Sequence, residues 1–178
     1  PRLLQLAHAI QEHANVVDAA ASGASNGMQL ALNVAAMLIA FLAFIAMIDY
    51  LLALIRPDLS LSAVMAIFFA PVAALIGVPG ADVPFIADLL GTKLVTNEMV
   101  SYVKLNGEYS GVISDRGHVL ATYALTGFAN LGSIGVLLGG IGGMAPGRRA
   151  DLARLSSKAL LGGFMATLIN ASIAALLL

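Results

Sequence analysis

Hydrophobic residues gather into long runs along this chain, and the polar residues between and within those runs mark out its elements. Residues 3–20 mix Leu3, Leu4, Leu6, Ala7, Ile10, Val16 and Val17 with polar positions, the stripe of an amphipathic helix lying at a membrane surface. The small and polar stretch 19–27 reads as a lead-in to the next helix. From 28 to 55 only Gln29, Asn33 and Asp49 are strongly polar. At about 1.5 Å per residue this run covers roughly 40 Å, enough to cross a bilayer with tilt. Arg56, Pro57 and Asp58 stop it, because charge and proline both oppose continuation. Residues 60–77 are apolar, contain Pro71 and carry no charge; hydropathy fits a second span and an interfacial helix equally. Gly77, Pro79, Gly80 and Pro84 then make a turn-rich break.

The stretch 85–105 is the informative one. Ile86, Leu89, Leu90, Leu94, Val95, Met99 and Val103 are apolar, yet Thr92, Lys93, Thr96, Asn97 and Glu98 occupy its middle. A straight lipid-facing helix would place Lys93 and Glu98 in hydrocarbon, at about 2.5–3.5 kcal/mol each on insertion scales. Two short helices folded back on each other, with the polar run at the apex, avoid that cost. Such re-entrant hairpins are tolerated where protein or water surrounds them. After a polar loop at 106–117, residues 118–143 form another apolar segment, broken in its middle by Gly127, Asn130, Gly132 and Ser133. Unwinding there frees backbone groups to meet a ligand. A basic, proline-containing loop at 145–155 leads to a final span, 156–178.

Composition agrees with lipid as the main solvent. Of 178 residues 60% are hydrophobic and 11% charged, where a soluble domain usually has about 25% charged residues. The net charge of -1 offers no electrostatic footprint for nucleic acid. With no cysteine, disulfides, thiolate catalysis and zinc–thiolate sites are excluded. His8, His13 and His118 are scattered, and the i,i+5 spacing of the first two suits solvated helix positions rather than a metal pair. The chain opens on Pro1 with a polar rather than signal-like segment, the expectation for a piece of a longer protein. Arg148, Arg149, Arg154 and Lys158 cluster between the last two spans and place that loop in the cytoplasm. The loop 106–117 then lies outside, and the 28–55 helix starts inside.

Four residues are candidates for chemistry. Glu98 is a carboxylate at membrane depth, a functional-site hypothesis by default, with Lys93 as the nearby partner; the alternatives are a structural ion pair and a carboxylate that simply sits at a wet interface. Asn130 and Ser133 share a face at i,i+3 if the helix is regular. An amide supplies both donors and acceptors, suited to a sugar hydroxyl or a base edge; the alternative is polar glue between helices. Phe128 offers a ring to a planar ligand or simply packs. Gly135, Gly139 and Gly143 have the small-xxx-small spacing of close helix packing. No nucleophile, base and metal set converges, so an enzyme is the weakest reading. A channel or pore subunit lined by the broken helix is the alternative to a transporter.

At NVVDAAASGASNGMQLALNVAAMLIAF (15–41), GTKLVTNEMVSY (91–102) and TYALTGFANLGSIGV (122–136) the sequence resembles the concentrative nucleoside transporter family, and the Gly-Val-Pro at 77–79 extends the match. The resemblance implies an all-α integral membrane fold of transmembrane helices with a re-entrant helical hairpin and a broken helix. This chain would be the second of two inverted repeats with its leading helix. The implied division is 1–27, cytoplasmic-side amphipathic helix and lead-in; 28–56, scaffold transmembrane helix; 57–81, outer interfacial helix, also scaffold; 82–117, re-entrant hairpin and outer loop; 118–143, broken helix; and 144–178, basic loop and final span. It also implies that Glu98, Asn130 and Ser133 hold the ribose of a nucleoside such as uridine, with Phe128 beside it. The base-reading hairpin and the ligands of the coupling Na+ or H+ would belong to the N-terminal half of the same transporter; no cofactor is implied here. A homotrimer in the inner (plasma) membrane, crossing it several times, is the implied setting. Gly80, Ala35, Met99 and Ser101 depart from the family's commoner Trp, Gly, Phe and Ala, positions that bear on packing.

Overall fold

A computed structural model describes residues 14–178, and among these every regular element is helical. In chain order the helices are α1 (Val16–Ile55), α2 (Leu61–Ile76), α3 (Val83–Val95), α4 (Glu98–Asn106), α5 (Asp115–Leu125), α6 (Leu131–Met144) and α7 (Arg149–Leu177), with a 3-10 turn at Pro146–Arg148 before the last. The amphipathic helix expected at 3–20 falls largely outside the described residues. The lead-in expected at 19–27 is instead part of α1. Asn15 caps that helix, accepting from the Asp18 N–H at 2.9 Å, and Ala19, Ala20, Ala21 and Ala24 are strong helix formers. Gly23 and Gly27 face open space and interrupt no contact.

Among the described residues two helices are long and apolar enough to cross a membrane, α1 and α7. Only 6% of the most apolar window of α1 is buried, which leaves Leu32, Ile39, Phe44 and Leu51 pointing outward. Asp49, the one acid in that run, accepts the Leu61 N–H at 2.7 Å while Ser60 accepts that of Ala63. Its charge therefore faces the N-terminus of α2, where the helix dipole favours it. Helix α2 ends at Gly77, left-handed at φ +97°, whose N–H returns to Ala73 and Ala74 carbonyls. At 16 residues α2 is roughly 24 Å long, short of a full crossing.

Sequence reading grouped α2 with α1 as scaffold, but the packing joins α2 to α3. A Cβ on Gly91 of α3 would stand 2.6 Å from the Ser62 carbonyl oxygen and 3.1 Å from the Ala66 nitrogen. The two backbones touch, and only glycine allows it. The core grows around this contact: Ala73, Ile86, Leu89, Leu90, Leu105, Leu120, Leu125 and Phe164 are buried together. Phe69 of α2 meets Phe164 of α7 at 5.1 Å between ring centroids.

Helices α3 and α4 form a hairpin rather than one rod. The Ser101 hydroxyl donates to the Leu89 carbonyl at 3.0 Å, and Lys104 pairs with Asp88 beneath it. The following loop is pinned by Asp82, whose buried carboxylate takes the N–H and hydroxyl of Ser114, the cap of α5. On the other side, α6 lies along α1, where a Cβ on Gly132 or Gly140 would meet Leu38 or Leu30 at 3.4 and 3.2 Å. The basic loop expected at 145–155 is shorter than that: Arg149 already opens α7, and Arg148 pairs with Asp151 at 2.8 Å across the first turn. An acid there suits the helix dipole and pulls the boundary forward.

Candidate functional site

The site forms where the hairpin apex meets the gap between α5 and α6. At the apex Asn97 is extended, and its side-chain oxygen accepts from the Val100 N–H at 2.9 Å. That cap starts α4 at Glu98 and sets its carboxylate in the first turn, a favoured place for negative charge. Glu98 is half-buried.

Opposite, the chain leaves helix after Leu125. Gly127 takes φ +86°, and a Cβ there would stand 2.7 Å from the Thr167 methyl of α7. Both conformation and space therefore demand glycine. Asn130 is extended and caps α6 in a reciprocal box: its Oδ1 accepts from the Ser133 N–H at 2.8 Å, and the Ser133 hydroxyl accepts from the Asn130 N–H at 3.3 Å. The same hydroxyl donates to the Asn130 carbonyl at 2.6 Å. With Oδ1 committed to the cap, the other end of the amide is aimed across the gap. Asn130 Nδ2 donates to Glu98 Oε2 at 3.0 Å.

The structure thus brings Glu98, Asn130 and Ser133 into one chain of hydrogen bonds. Ser133 and Asn130 order each other through the cap, and the Asn130 amide also links α6 to Glu98 of the hairpin. Phe128 sits on the same extended segment and is 55% exposed, so its ring is open to a ligand. The expected Lys93–Glu98 pairing does not form. Lys93 is fully buried, and its Nζ donates to the carbonyls of Ala124 and Thr126 at 2.9 Å each and to the Thr167 hydroxyl at 3.0 Å. Freed carbonyls at the C-terminus of α5 hold the cation in place of the half-buried acid across the apex. Sequence reasoning missed Thr167, and also Tyr102, whose hydroxyl donates to the Thr122 carbonyl at 2.9 Å. Neither has a local signal, since each partner lies on another helix. The asparagine caps did have one: Asn97 and Asn130 each precede a helical run by one residue.

Among the described residues no three His, Asp or Glu side chains gather as a metal ion would need. The polar groups that meet here are one carboxylate and one amide, each beside a helix N-terminus. An open groove of about 400 Å³ lies farther along, between Tyr123, Thr126 and Asn170, Ile173, Ala174 and Leu177.

Fold and site together describe a helical protein with two long, apolar, outward-facing helices beside a polar, folded-back apex. The family described as Na+ dependent nucleoside transporter C-terminus matches residues 5–175, and the chain belongs to that family. It is similar to an uncharacterized transporter of Haemophilus influenzae, 45% identical over 91% of this chain and 41% of that protein. It is also similar to sodium/nucleoside cotransporter 1 of Mus musculus, 39% identical over 92% of this chain and 28% of that protein. A solved structure of a CNTnw variant in its intermediate 2 state superposes with a TM-score of 0.84 at 43% identity, over 94% of this chain and 43% of that one. The chain thus spans less than half the length of these relatives, which are transporters and not enzymes.

Proposed function

We propose that this chain supplies the ribose-binding side of an ion-coupled nucleoside symporter working by alternating access. The observation that carries the reading is the 3.0 Å hydrogen bond from Asn130 to Glu98, which joins the hairpin apex to the unwound segment. One carboxylate oxygen of Glu98 is engaged there, and the remaining lone pairs are free to accept from the vicinal hydroxyls of a ribose. Hydrogen bonds to a charged group contribute about 1.5–3 kcal/mol each. Asn130 Nδ2 keeps a second N–H for the sugar, Ser133 holds that amide in place and joins the contact when its hydroxyl turns out of the cap, and Phe128 lies against the nucleoside. In this reading α3 and α4 are a re-entrant hairpin, and α5 and α6 are the halves of a broken transmembrane helix.

The site is open on one side, as expected if the N-terminal half of the same transporter closes it with the base-reading groups and the sites for Na+ or H+. The basic residues Arg148, Arg149, Arg154 and Lys158 face the cytoplasm of a multi-pass inner (plasma) membrane protein. Helix α1 is scaffold, and its exposed apolar flank is covered by lipid and by the other subunits of a homotrimer. Because α2 is locked to α3, it travels with the hairpin. The test is Glu98→Gln in the full-length protein, which keeps size and removes charge. Uridine affinity should weaken roughly tenfold or more, given the strength of charge-assisted bonds, with assembly intact. Unchanged uridine uptake kinetics would remove the reading.

A further inference from the structure

Lys93 is the largest fully buried side chain among the described residues, and the site just described gives it no task. Its ammonium has three N–H groups, and the structure gives it three oxygens at 2.9, 2.9 and 3.0 Å. Two of these are carbonyls set free where α5 stops. In a continuing helix the Ala124 carbonyl would accept from residue 128 and the Thr126 carbonyl from residue 130. The Asn130 N–H has instead turned to the Ser133 hydroxyl. The third oxygen belongs to Thr167, whose own proton is donated to the Phe164 carbonyl at 2.8 Å, leaving a lone pair for Lys93. The Phe164 ring closes the remaining side, 4.9 Å from Nζ. Carbonyls from an unwound helix plus one hydroxyl are what a monovalent cation binds in a membrane protein. Here the cation is part of the hairpin.

Lys93 and Glu98 stand on the two legs of the same apex, and their partners stand at the two ends of one extended segment. Lys93 holds 124–126; Glu98 holds Asn130. The hairpin tip therefore grips the segment at two points, and the first grip sets the register of the second. We infer that Lys93 is a tethered cation that fixes the 126–130 segment on the hairpin tip and is thereby a positioning residue for the Glu98–Asn130 contact. That this contact reads ribose rests on the function proposed above; the register does not.

The test uses the full-length transporter with Lys93→Met, which keeps the apolar stem and removes the ammonium. Two quantities are read on the same purified protein. The first is hydrogen exchange in peptides covering 126–133, expected to speed at least tenfold in the variant, because the buried cap of Asn130 and Ser133 loses its anchor. The second is the ratio of uridine to 2′,3′-dideoxyuridine affinity. A general loss of folding lowers both affinities together, whereas a lost register lowers uridine alone, so the ratio should fall at least tenfold. Exchange at the parent rate overturns the inference. If the parent itself takes up no nucleoside, the proposed function fails and exchange alone decides the register. Where Lys93→Met does not fold, Thr167→Val serves, since it is isosteric and deletes one acceptor of three: a two- to fivefold change in the same readouts is expected, and none overturns the assignment. Lys93→Ala adds a positive arm. n-Propylammonium carries the three carbons and the ammonium that this change deletes; it should restore protection at 126–133, and restoration by n-propanol to the same extent would sink the cation.

Discussion

At the scale of single residues, Asn130 carries the most, because its amide is divided between two tasks. The oxygen caps α6 and the nitrogen reaches Glu98. Serine is as good an N-cap as asparagine, but its hydroxyl is too short to do both. Asn130→Ser should therefore keep the start of α6 and lose the arm across the gap. A part-buried hydrogen bond to a charged acceptor is lost, at most about 1.5–3 kcal/mol, so uridine affinity should fall roughly tenfold, and by no more than about a hundredfold. Apparent melting temperature in detergent should change little. Calorimetric titration of uridine beside a thermal scan checks both halves; a variant that melts early yet binds uridine normally would reverse the two roles. The cap also explains why Ser133, read from the sequence as a direct contact, is 4% exposed with its hydroxyl turned inward.

At the scale of elements, two of the closest helix interfaces differ in kind. Backbone contact through Gly91 makes α2 and α3 one body, while α6 meets α1 through side chains at Leu30 and Leu38 against Gly140 and Gly132. If α1 is scaffold and the hairpin with α5 and α6 moves, the α1–α6 seam must slide. A cross-link there should arrest transport. The chain contains no cysteine, so Leu30→Cys with Gly140→Cys can be joined in a background otherwise free of cysteine in this region. Uptake should drop to background on cross-linking and return on reduction, followed as radiolabelled uridine in vesicles. Full uptake by the cross-linked protein would mean that this seam is static. The element breaks were legible in the sequence because their causes are local: charge and proline at 56–58, Gly77 before Pro79, and the polar residues Thr96, Asn97 and Asn130 beside a helix start. What was not legible has partners far away in the chain. Lys93 reaches Ala124, Thr126 and Thr167; Asp49 reaches Leu61; α2 is claimed by Gly91. Nearness along the chain suggested Glu98 for Lys93, and geometry at the end of α5 outbid it.

At the scale of the whole molecule, the proposed function makes this site one side of a cleft, and symport would require that the ion and the nucleoside each favour the same closed arrangement. Linkage then fixes a quantitative demand. If the ion tightens uridine binding by some factor, uridine must tighten ion binding by that same factor, since both share one coupling free energy. A tenfold effect corresponds to about 1.4 kcal/mol. On the proposed reading the carboxylate of Glu98 gives this coupling a physical anchor on the present chain: Glu98→Gln should weaken the nucleoside end and shrink the free energy available for coupling. Uridine affinity of the full-length protein should be measured in sodium against choline and at several pH values, and the affinity of the effective ion with and without uridine. Equal factors in the two directions are expected in the parent, and smaller equal factors in Glu98→Gln. A pore lined by the broken helix has no such reciprocity; its uridine flux follows the nucleoside gradient alone and survives an ionophore that collapses the ion gradient. Uptake above equilibrium that vanishes with the ionophore is therefore the outcome demanded of a symporter, and downhill flux indifferent to every ion would return the chain to the pore reading.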